Sequence, residues 1–68
     1  MRNIKINTEY IKLDQFLKWT NIVSSGAEAK TLIRSRLVKV NGEVETRRGK
    51  KLRKNDTIEI NDSKFIIE

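Results

Sequence analysis

The chain has 68 residues, no Cys, no His and a formal net charge of +6, with a pI near 10.0. A chain of this length forms one domain over residues 1–68, and it buries only roughly 60% of the surface its unfolded form exposes, so stability must come from a compact apolar core. Without Cys or His there are no disulfides and no ordinary zinc sites, and no acidic cluster at loop spacing suggests another metal; neither metal nor cofactor is expected.

The first element is a short strand over Asn3–Ile6, with Ile4 and Ile6 on one side. The period then changes. Leu13, Phe16, Leu17 and Thr20 recur at helical spacing, with Asp14, Gln15 and Lys18 on the opposite side. Asp14 suits the helix start and is spaced to pair with Lys18. Trp19 lies at the edge of the apolar stripe and reads as a core-edge residue, with base stacking as the alternative. Thr20–Ser24 breaks this helix. Ser25-Gly26-Ala27-Glu28 carries the capping-box pattern, so a second helix starts there and runs to about Arg36. Its apolar stripe is Ala29, Leu32, Ile33 and Leu37, while Lys30 and Arg34 share an outward stripe.

From Val38 the period is two. Asn41-Gly42 is a strong hairpin signal, and a three-residue loop (Asn41 to Glu43) pairs Val40 with Val44 and Val38 with Thr46. Thr57–Ile60 and Lys64–Ile67 form a second pair through Asp62-Ser63, with Ile60 facing Phe65 and Ile58 facing Ile67. The order β-α-α-β-β-β-β predicts an α+β domain: two helices on one side of a small, mostly antiparallel sheet.

Charge is unevenly placed. Arg47 to Lys54 contains six cations in eight residues, and Arg34 to Lys54 contains nine cations against Glu43 and Glu45. From Asn55 onward only Lys64 is basic, against Asp56, Glu59, Asp62 and Glu68. A cationic run inside a fold is held in place and suits the regularly spaced phosphates of a polyanion; a solvated loop kept basic for solubility is the bland alternative. At the start of the second helix, free backbone N–H groups together with Lys30 and Arg34 suit the same ligand, beside the plain capping role of Ser25. Catalysis is not expected: there is no His, no Cys, no Gly-rich phosphate loop and no carboxylate pair placed for acid–base work. The N-terminal residues lack the apolar segment of a secretory signal, and no apolar run reaches spanning length, so a cytoplasmic location without membrane contact is expected; a monomer is expected as well.

Lys12-Leu13-Asp14, Leu17-Lys18, Ser25-Gly26-Ala27-Glu28-Ala29-Lys30, Ile33, Val38-Lys39-Val40-Asn41-Gly42, Leu52 and Asn55-Asp56-Thr57-Ile58 form an ordered set. At these spacings it resembles the S4 RNA-binding domain family over about residues 10–60, and within it the short stand-alone bacterial proteins, where Arg47-Arg48-Gly49-Lys50-Lys51-Leu52 has a close counterpart. The resemblance implies binding of structured RNA, with ribosomal RNA or ribosomal particles first and transfer RNA second. It implies helical contacts at Lys12, Ser25, Lys30 and Arg34, and loop contacts at Asn41, Arg47, Arg48, Lys50 and Lys51. Asp14 would orient a neighbouring cation.

Three positions depart from the family pattern. Lys12 stands where Arg is usual, keeping charge but losing the planar fork. Arg36 stands where Gly is usual near the helix end, a strained choice if φ there is positive. Lys54-Asn55 replaces Pro-Gly, and Asn tolerates the left-handed region. The rival readings are a DNA-binding helix-turn-helix using Lys30, Arg34 and Arg36, and a protein-interaction or anionic-membrane module. The RNA reading further expects the outward flank of the second helix and the basic run to meet as one cationic patch.

Overall fold

A computed structural model describes all 68 residues. Its elements are β1 (Arg2–Ile4), β2 (Ile11–Lys12), α1 (Leu13–Trp19), α2 (Gly26–Arg34), β3 (Val38–Val40), β4 (Glu43–Val44), β5 (Lys51–Leu52), β6 (Thr57–Ile60) and β7 (Ser63–Ile67). The α+β architecture expected from the periodicities is present. Five strands form one sheet in the order β1-β7-β6-β3-β4, and β2 pairs with β5 in a separate two-stranded ladder. All pairs are antiparallel except β1 with β7.

Alternation along the strands builds the core. Val38, Val40, Ile58, Ile60, Phe65 and Ile67 are buried, as are Leu13, Phe16, Leu17, Ala29 and Ile33 of the helices. Phe16 meets Phe65 edge-on at 5.4 Å and 86°, which ties α1 to the sheet. All fourteen buried residues are apolar. The interior therefore holds no polar group that could do chemistry, and function must lie on the surface. Between β3, β6 and β7, Lys39, Glu59 and Lys64 stand in register as an alternating charge row.

Both hairpin registers differ from the expectation. Asn41 (φ 53°) and Gly42 (φ 87°) form a two-residue turn with positive φ at both central positions, so Val40 pairs with Glu43 and Lys39 with Val44. Turn geometry outweighs apolar pairing here because β4 is an edge strand, and Val44 simply remains exposed. In the second hairpin the turn is Asn61-Asp62, with Asn61 at φ 52°, so Ile60 pairs with Ser63 and Ile58 with Phe65. That is a slip of two residues, which preserves the face, so the apolar side stays inward.

Smaller corrections concern the ends of elements. The first strand ends at Ile4, and Ile6 reaches the core from beyond it. Leu37 does not continue the stripe of the second helix and is 48% exposed. That helix stops at Arg34 because Ser35 caps it and Arg36 follows at φ 64°, the left-handed position where Gly is usual. Asp14 does not pair with Lys18; its Oδ1 accepts from the Gln15 N–H at 2.8 Å. Asn55, at φ 76°, keeps its turn as expected.

Candidate nucleic-acid interface

The basic run is fastened to the folded body at several points. The Leu13 N–H donates to the Lys50 carbonyl at 2.9 Å and the Asp14 N–H to the Arg48 carbonyl at 3.0 Å. These are first-turn donors of α1 that have no partner within the helix, and no side chain caps them. Main-chain oxygens of the loop thus supply the missing cap. The loop itself closes through a 3.2 Å bond from the Lys50 N–H to the Arg47 carbonyl.

Further along, Leu52 is fully buried and pairs with Ile11, while Lys12 pairs with Lys51. Past the strand, the Arg53 N–H donates to Asp56 Oδ2 at 2.8 Å. Six cations are therefore carried on a backbone fixed at both ends. Strand alternation turns Leu52 inward and leaves Lys51 and Arg53 exposed.

The predicted contact residues fall into three groups. Lys12, Arg48 and Lys51 are exposed and Lys50 is half-buried, all at the junction of loop and α1. Lys30 and Arg34 lie on α2, which packs against α1, and Ser25 is its N-cap. Ser25 Oγ accepts from the Glu28 N–H at 3.2 Å, and Glu28 in turn accepts from the Ser24 hydroxyl, so the reciprocal half of the capping box is made by the neighbouring serine. The loop's main-chain anchors run to α1 and not to α2.

Asn41 and Arg47 form the third group, because each already has protein partners. Asn41 Nδ2 donates to Asp56 at 3.1 Å, and its Oδ1 accepts from the Thr57 N–H at 2.9 Å and hydroxyl at 3.2 Å. Its side chain joins the first hairpin turn to the start of β6. Arg47 donates through Nε to Glu45 Oε2 at 3.0 Å and through a terminal nitrogen to Oε1 at 3.3 Å, and its own N–H reaches Oε2 at 3.0 Å. This is the only ion pair in the chain. The Arg47 side-chain hydrogen bond holds the Glu45 carboxyl below its ordinary value, and Glu45 raises Arg47 in return.

The sequence pattern offers no binding role for Tyr10. Its half-buried ring lies under Lys51 Nζ at 4.8 Å and Arg53 Cζ at 5.8 Å. The signal lay in the two-residue strand beside it, which is too short to stand out by periodicity. No group of three or more His, Cys, Asp or Glu is arranged to hold a metal. No helix is long and apolar enough to cross a membrane.

The chain is similar to known proteins along almost its whole length. It is 46% identical over 57 residues to the probable ribosome maturation protein RlbA of Bacillus subtilis (strain 168), an alignment spanning 84% of this chain and 80% of that protein. Its fold matches the solution structure of YbcJ from E. coli with a TM-score of 0.73 and 29% identity, covering 98% of this chain and 86% of the other. YbcJ is described as revealing an AlfaL motif involved in RNA-binding. The family model for the S4 domain matches residues 4–68. A two-helix layer on a small sheet, a basic loop pinned to the first helix and this match from one end to the other make the chain a member of the S4 domain family.

Proposed function

We propose that this protein binds structured RNA without catalysing a reaction, and that its RNA is ribosomal, met during maturation of a ribosomal particle in the cytoplasm. The observation that carries the reading is the docking of the Arg48 and Lys50 carbonyls onto α1, which holds a dense cationic run at defined positions. Fixed cations favour a rigid, phosphate-bearing surface over a diffuse counterion cloud. Family membership, a relative named for ribosome maturation and a neighbour described as RNA-binding support the same direction.

In this reading Lys12, Arg48, Lys50 and Lys51 grip phosphates at the loop, while Lys30 and Arg34 track them along α2. Ser25 caps that helix and leaves the N–H groups of Gly26 and Ala27 available to the same anion. Arg47 joins when phosphate competes with Glu45, and Asn41 shapes the turn. Recognition is by shape and charge, as an A-form major groove is too narrow to read.

The test is charge reversal of Arg47, Arg48 and Lys50 to Glu in a variant whose circular dichroism is unchanged. Losing three phosphate contacts lowers the log–log salt slope of RNA binding by about 2 to 3. Replacing Lys30 and Arg34 with Ala removes a further part. Unaltered affinity in the folded loop variant would overturn the assignment, and tighter binding to duplex DNA than to structured RNA at matched salt would replace it with the DNA reading.

A further inference from the structure

Trp19 is the only tryptophan of the chain, and it is 54% exposed at the last turn of α1. Neither another ring nor a cation packs on its face. The fold covers part of the indole, as the edge of the helical stripe predicts, and leaves the larger part open. An indole combines a large apolar face with a polar N–H, which suits it to a contact where a cleft lies beside it.

Trp19 lines an open cleft together with Gln15 of α1 and the segment from Asn7 to Ile11. A 2.8 Å bond from the Thr8 hydroxyl to the Tyr10 carbonyl braces that segment. Tyr10 belongs to the cleft wall, and it is the ring that Lys51 and Arg53 cover. The Trp19 platform and the ring that positions Lys51 and Arg53 thus line the same cleft, with the two cations held just outside it. Glu9 also lines the cleft, which makes the cleft itself a poor place for phosphate and leaves it to an uncharged group.

From this arrangement we propose that the cleft receives one unpaired base of the bound RNA, stacked on Trp19, with the adjoining phosphates on Lys51 and Arg53. The inference rests on the RNA reading above and adds to it a preference for RNA with a single-stranded segment beside its helix. Stacking needs only a free π-face, so the site accepts any base and prefers the larger purines.

The experiment uses the whole chain and a short RNA hairpin in three forms: blunt, with a single-stranded adenosine tail, and with an abasic tail of equal length. The adenosine tail is expected to tighten binding by about 5- to 160-fold, the range of one base stacked on an aromatic side chain, and to quench Trp19 emission in step with occupancy. Trp19→Ala abolishes the gain from the tail, and Trp19→Phe keeps most of it. Circular dichroism and melting temperature report the fold of both variants.

Equal affinity for abasic and adenosine tails, unchanged emission on tail binding, or a tail gain that survives in Trp19→Ala would each overturn the proposal. Two failures are distinguishable. If the blunt hairpin binds and the tail adds nothing, only the stacking site falls; if no hairpin binds at any salt, the RNA reading falls with it.

Discussion

Glu45 is the counterion of the one loop arginine that the free protein neutralises, so Glu45→Gln is the most direct probe of the charge argument. The Gln Oε1 can accept the Arg47 N–H and Nε–H in place of the carboxylate oxygen, which preserves the local turn, while the negative charge that neutralises Arg47 is gone. The net charge rises by one from +6. One additional free phosphate contact steepens the log–log salt slope by roughly 0.7 to 0.9, so the advantage of the variant over wild type grows about threefold for each fourfold dilution of salt. Fluorescence anisotropy with a labelled RNA hairpin across a salt series measures both slopes. A variant slope equal to or shallower than wild type would refute the idea that Glu45 withholds Arg47 from RNA.

The same pair sets a pH signature. The hydrogen bond from Arg47 depresses the Glu45 carboxyl below its ordinary value of 4.5, so the charged form is favoured in the folded state. The resulting stabilisation is fully present above that ordinary value and is lost as pH falls through the depressed one. Wild type should melt above Glu45→Gln at pH 7, and the gap should close in acid. A gap that is constant across this range would assign the difference to something other than the carboxylate.

Three further outcomes are expected. Arg36→Gly relieves a φ of 64° and should stabilise the protein by about 1 kcal/mol, read as a melting temperature higher by about 4–8 °C; no gain would mean that Arg36 has compensating contacts. Leu52→Ala removes a fully buried side chain at the root of the basic run and should cost about 2–5 kcal/mol in denaturant unfolding, whereas Leu52→Met should cost less than about 1.5 kcal/mol. Asn41→Gly keeps the positive φ but removes the bonds to Asp56 and Thr57, so it should lose about 1–2 kcal/mol of stability with RNA affinity nearly intact. An affinity loss at unchanged stability would make Asn41 a direct RNA contact.

The parts of the fold that follow from periodicity were legible in the sequence. Leu13, Phe16 and Leu17 declared one helix, Ala29 and Ile33 the other, and the alternating Val and Ile residues the inner sheet face. What periodicity cannot carry is register on an edge strand. Val44 looked like a partner for Val40 only because both are apolar, while the left-handed turn at Asn41-Gly42 decides the pairing. Leu37 was misplaced for a related reason: the helix stops before it, at a left-handed Arg that gives no Gly signal. The β2–β5 ladder was invisible because two residues on each side show no repeat, and with it went the role of Tyr10. The basic candidate contact residues were legible as charges. The internal partners of the candidate contacts were not, since the bonds of Asn41 bridge fifteen and sixteen residues of chain.

The cap on α1 is built from carbonyl oxygens of Arg48 and Lys50, which every amino acid possesses. Their side chains are consequently free to be rewritten without loosening the attachment. Leu52, sunk in the interior, the Asn55 turn and the Arg47–Glu45 pair are what constrain this stretch. A small scaffold of this kind can exchange one target for another by altering a handful of exposed letters, and libraries randomised at Arg48 and Lys51 should remain largely folded.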